Sequence, residues 1–131
     1  MMRLMIVALG ALGILLLGAP SFSAAEENYG STRFEATGSS EAHAVFLRGL
    51  LQLHNFEYAD ARGAFRKARS LDPDFTMAWW GDALTWWHPL WPSTDLDSAR
   101  AVVKQMGSDS ASRVALGRTK RERGYLASID V

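Results

Sequence analysis

From Ser39 onward, apolar residues recur every three or four positions, and no segment alternates apolar and polar residues as a half-buried strand does. Phe46, Leu50 and Leu53, with Ala42 and Gly49 on nearby rows, predict a first helix. Ser39 or Ser40 caps it, Glu41 suits its first turn, and His54–Asn55 forms its exit. Ala61, Ala64, Phe65 and Ala68 line one face of a second helix, from about Glu57 to Ser70, with Arg62, Arg66, Lys67 and Arg69 mostly off that face. Pro73 ends it, because proline cannot continue the ladder and disfavours helix at Asp72. A third helix is expected from about Phe75 to Trp87, stopped by Pro89, with "HPLWPS" as a rigid connector. Thr94, three residues before Asp97, marks the start of a fourth, which Gly107 closes after Met106. Ser110 to Leu116 reads as a short helix ending at Gly117. "TKRE" (Thr119–Glu122) is a capping box, followed at helical spacing by Tyr125, Leu126 and Ile129. The expected class is all-α.

The N-terminus reads differently. A short basic start, "MMR", precedes a sixteen-residue uncharged apolar run, Leu4 to Ala19, and small residues follow at Ser23 and Ala25. This is the pattern of a secretory signal peptide cleaved after Ala25. The run is shorter than the ~20 residues of a spanning helix and ends at Pro20, so no stable membrane span is expected after cleavage. Residues 26–38 mix charge, Gly, Ser and Thr and read as a flexible leader to a helical domain over 39–131. The expected location is periplasmic or secreted. The chain has no cysteine, so helix packing alone holds the domain together.

A repeat underlies the helices. A shift of 34 residues places Ala44 on Ala78, Gly49 on Ala83, Leu50 on Leu84, Leu53 on Trp87 and His54 on His88. A shift of 38 places Ala61–Arg62 on Ala99–Arg100, Phe65 on Val103 and Ala68 on Met106. The small Gly49, then Tyr58, Ala61, Phe65, Ala68 and Asp72–Pro73, resemble the tetratricopeptide repeat (TPR) at that family's spacings. Trp79, Ala83 and Trp86 stand where the next repeat would place its large, small and large residues. The wording over 42–106 also resembles the opening of much longer bacterial TPR-containing proteins, and 107–131 does so loosely. The resemblance implies an α-solenoid of antiparallel hairpins, here two hairpins plus the start of a third. Such arrays need about three or more repeats, so the chain reads as a truncated array or as one that relies on a partner.

The resemblance also implies a concave inner face that carries ligand contacts. By register that face holds His43, Phe46, Leu50, Leu53 and His54, then Met77, Trp80, Leu84, Trp87 and His88. Of these, Phe46, Leu53, His54, Trp80, Trp87 and His88 are the candidate partner-binding residues. Trp80 and Trp87 either stack on a ligand or pack beneath a further segment, and packing is the preferred reading. Arg48 and Asp82 fall at equivalent points of successive repeats and are expected to form an ion pair.

Charge and chemistry narrow the function. Fourteen basic residues balance fourteen acidic ones without a basic patch, which argues against nucleic-acid partners. There is no phosphate loop, nucleophile elbow or cysteine nucleophile, so no enzymatic activity and no cofactor are expected. His54 and His88 share one register, but a metal site needs further ligands, and helix-end histidines bonding free carbonyls are the simpler reading. "GRTKRERG" (117–124) reads as a solvated helix start rather than an anion site. The expectation is an exported scaffold for a protein or peptide partner, with self-association through uncovered repeat faces also open. The alternative is the metal- or small-ligand-binding N-terminal part of a larger enzyme or complex.

Overall fold

The computed structural model describes residues 28–130. The expected signal peptide, 1–25, lies outside the described residues, as does Val131. Among the described residues there are six helices and no strand: α1 Ser40–His54, α2 Tyr58–Leu71, α3 Thr76–Leu84, α4 Leu96–Met106, α5 Ser110–Ala115 and α6 Lys120–Ala127. The all-α class is therefore as expected. No helix of the described residues is long and apolar enough to cross a membrane.

Local signals account for most boundaries. Ser39 accepts from the Ala42 N–H and caps α1. The end of α1 is closed by two turn bonds: the Phe56 N–H donates to Leu53 O (3.1 Å) and the Glu57 N–H to Gln52 O (2.9 Å). This closure requires a left-handed residue at Phe56, whose φ is +65°, where glycine is the usual occupant. Capping boxes start both α5, at Asp109 and Ser112, and α6, at Thr119 and Glu122.

Two boundaries differ from expectation. Helix α3 stops at Leu84 rather than Trp87. The Trp86 and Trp87 N–H groups donate to Ala83 O and Leu84 O, bonds that tighten the last turn. The Thr85 carbonyl is then taken by Arg62 Nη2 (3.1 Å) and His88 Nε2 (3.0 Å), which removes any need to continue the ladder. Helix α4 is capped by Asp95, not Thr94: Asp95 accepts from the Ser98 N–H at 2.9 Å and from its hydroxyl at 2.7 Å. Thr94 Oγ1 instead accepts from the His88 N–H.

Helix α3 is the hub, packing on α2, α4, α1 and α6. Close approach of α1, α2 and α3 depends on one ring. Phe65 of α2 is fully buried between Gly49 of α1 and Gly81 of α3. A β-carbon at Gly49 would stand 2.9 Å from that ring, and one at Gly81 only 2.5 Å. The repeat register marked Gly49 and Ala83 as the small positions; Gly81 allows a close approach of the same kind at a position the register did not mark.

The segment expected as a leader packs onto the helices. Phe34 is buried against Phe46 (centroids 5.3 Å apart), Trp80 (6.0 Å) and Tyr125 (5.0 Å). His43 Nε2 donates to Phe34 O at 2.7 Å. The Thr37 N–H and hydroxyl both donate to Glu122 Oε1, at 2.6 and 2.7 Å.

Candidate functional site

The inner face marked out by register is largely filled. Phe46 is fully buried, ringed by Phe34, Phe65, Phe75 and His43. Trp80 stacks on Phe34 and takes Tyr125 edge-on at 5.0 Å, and its Nε1 donates to Ser128 Oγ. Leu53 is half-buried against the core. Phe46 and Trp80 therefore present no free surface to a partner. The sequence pattern could not show this, because Phe34 lies outside the helical repeat, in the segment before α1, and Tyr125 lies far from both helices along the chain.

The α2–α3 seam is lined by charge. Asp82 is wholly buried, and its partners are not Arg48, which is exposed, but Arg69 and Arg66. Arg69 Nη1 donates to Asp82 Oδ2 at 2.5 Å and Arg66 Nε donates to the same oxygen at 3.3 Å. The expected Arg48–Asp82 pair is thus replaced by one within reach of α2, whose arginines lie alongside α3. Arginines of α2 also cover tryptophans. Arg69 stands 3.2 Å from the Trp79 ring centroid and Arg62 stands 3.4 Å from that of Trp86. Burial lowers the pKa of Arg69, and Asp82 counters the shift. Burial also lowers that of Arg62, with Arg66 adding to it and Asp82 and Asp95 opposing. The seam's charges pair with one another, but Asp82 Oδ1 and Trp86 Nε1 are buried without a hydrogen-bond partner, and Arg66, Arg69 and Asp82 line a cavity of about 460 Å³.

An apolar cleft lies at the end of α3. Trp87 is 55% exposed and lines a cleft of about 240 Å³ with Ala83, Leu84, Leu96, Ala99, Val103, Ser128 and Ile129. The cleft is walled by α3, α4 and the chain just past α6, and its surface is mostly apolar. The next residue, His88, goes elsewhere. Its ring lies 4.1 Å from that of Tyr58, its Nε2 donates to Thr85 O, and its Nδ1 bonds Ser93 Oγ at 3.0 Å. His54 is exposed on the last turn of α1. Both nitrogens of His88 are engaged within the chain, and no group of three or more His, Asp or Glu among the described residues is placed to hold a metal.

Beside His88, three rings from two segments meet. Phe56 lies 5.5 Å from Trp91, Tyr58 lies 6.0 Å from Trp91, and Phe56 lies 6.4 Å from Tyr58. Phe56 and Trp91 are each 48% exposed. From sequence, Trp91 belonged only to an inserted turn, and neither Phe56 nor Tyr58 was a candidate. The one available signal was an aromatic residue directly after the "HN" helix exit, where glycine is expected.

No protein-family model matches the chain, and no curated protein or solved structure matches it.

Proposed function

We propose that this chain is an exported, TPR-like helical scaffold that holds an apolar segment of a protein or peptide partner in the cleft beside Trp87. The carrying observation is Trp87, a large ring more than half exposed at an apolar cleft while the neighbouring inner-face aromatics are buried. A tryptophan in such a position is the type of residue that dominates binding energy at interfaces, and exposed apolar surface next to a concavity marks interaction sites. The repeat reading draws support from the order of packing. Helices α1, α3 and α6 contact in series, as the first helices of successive hairpins would, and α2 and α4 pack against their preceding helices. Export rests on the N-terminal pattern of basic start, apolar run and small residues.

The test is a selection of displayed random peptides against the full-length chain. Selected peptides should compete with one another and lose at least tenfold in affinity for Trp87→Ala and Leu96→Asp, with the circular dichroism of both variants unchanged. Peptides that bind Trp87→Ala as tightly as the parent overturn the proposal. So does sedimentation showing that a second copy of the chain occupies the cleft.

A further inference from the structure

The chain matches two of its tryptophans with arginines of its own: Trp79 with Arg69 and Trp86 with Arg62. Trp80 is buried among aromatics. Trp91 is half exposed, and among the described residues no Arg or Lys side chain lies over its ring. It sits in a corner of rings. Its plane is 88° from that of Tyr58 and 68° from that of Phe56, so the three do not form a flat stack, and the His88 ring, 4.1 Å from that of Tyr58, backs one face of the group. With centroids 5.5 to 6.4 Å apart, a cation seated in front of the corner falls within ~6 Å of all three rings, the range in which the ring quadrupoles attract it.

The surrounding charge has the complementary sign. The two segments that carry the corner, 55–62 and 85–97, hold four exposed carboxylates: Glu57 and Asp60, Asp95, which accepts from Ser98, and Asp97, which pairs with Arg100 at 3.6 Å. They hold one guanidinium, Arg62, which is already committed to Thr85 and Trp86. Hydrogen bonds from Ser98 keep the pKa of Asp95 below its ordinary value, so its charge persists into mild acid. The backbone adds an independent indication. Phe56 holds its ring against Trp91 from a left-handed conformation that glycine would adopt without strain. A non-glycine residue kept there costs stability, and such costs cluster at functional positions.

We propose that the Phe56–Tyr58–Trp91 corner binds an organic cation, an alkylammonium or guanidinium head. The site is separate from the Trp87 cleft and stands or falls without it. Two sources share this chemistry: a free quaternary ammonium compound and the side chain of a Lys or Arg in a peptide.

The test is a titration of the full-length chain followed by the indole N–H and ring resonances of Trp91. The probes are choline, its neutral carbon isostere 3,3-dimethylbutan-1-ol, and the N-acetyl methylamides of lysine and arginine. The cations should shift the Trp91 resonances saturably, and the neutral alcohol should bind at least about tenfold more weakly. Response to choline identifies a small-molecule site, and response to the amino-acid amides alone identifies a peptide side chain; either supports the proposal. Phe56→Gly suits the left-handed position, so it should fold at least as stably as the parent while losing about tenfold in cation affinity. Trp87→Ala should leave cation binding unchanged. Equal binding of choline and the alcohol, no saturable shift with any cation, or full cation affinity in Phe56→Gly overturns it.

Discussion

Glu122 and Thr37, 85 residues apart, are joined by two hydrogen bonds to one carboxylate oxygen, Oε1, at 2.6 and 2.7 Å. The other oxygen, Oε2, accepts the Thr119 N–H at 2.9 Å and closes the capping box of α6. One buried side chain thus starts the last helix and fastens the segment before the first.

That arrangement makes stability depend on acid. Burial alone would raise the pKa of Glu122 above its ordinary 4.5, but the donors of Thr37, Thr119 and Arg118 outweigh it and hold it lower. The folded state therefore binds this proton less readily than the unfolded one. The stabilisation is fully present above about pH 4.5 and is lost as pH falls through the lowered folded value. Urea midpoints measured between pH 7 and pH 3 should fall, and Glu122→Gln should flatten part of that slope. Glu122→Ala at pH 7 should cost about 2–4 kcal/mol, since it strands several donors.

Phe34 should behave as a core residue. Phe34→Ala should cost about 2–4 kcal/mol and wet Trp80 and Tyr125, which it covers. Chemical denaturation reads the first effect. A red-shifted tryptophan emission that is absent in Arg33→Ala reads the second.

The buried carboxylate of Asp82 gives a test by pairs. Asp82→Ala leaves Arg69 poorly exposed and without its 2.5 Å partner, and should cost about 3–5 kcal/mol. Replacing both, as Asp82→Ala with Arg69→Met, should recover much of that loss, because an apolar pair carries no stranded charge. Arg48→Ala should change stability by less than about 0.5 kcal/mol. A large coupling between Arg48 and Asp82 in a double-mutant cycle would contradict the geometry.

Glycines of α2 and α3 should respond with opposite signs. Helix propensity favours alanine over glycine by about 1 kcal/mol at either position. At Gly63 a β-carbon meets nothing within 4 Å, so Gly63→Ala should raise the melting temperature. At Gly81 it would stand 2.5 Å from the buried Phe65 ring, which has no room to move, so Gly81→Ala should lower it.

Much of the secondary structure was legible from residues alone. The starts at Ser39 and Thr119 and the stops at Pro73 and Gly107 depend on bonds and clashes between residues at most a few positions apart. The candidate site was less so. Register placed Phe46, Trp80, Trp87 and His88 on one face, yet of these only Trp87 remains well exposed, because Phe34 and Tyr125 cover Phe46 and Trp80 while His88 turns to Tyr58, Thr85 and Ser93. Those two rings come from opposite ends of the described chain, and no periodicity relates them to α1 or α3.

The sequence by itself determined an all-helical chain, the order of its helices and most of their ends, since capping, proline and apolar spacing act within a turn or two. Tertiary structure alone decided that Asp82 belongs to Arg69 and Arg66, that Arg62 captures the Thr85 carbonyl and ends α3 early, and that Phe56, Tyr58 and Trp91 meet. Each of these choices is a competition among side chains distant in sequence, settled by which groups the packing of α1, α2 and α3 brings within a few ångströms.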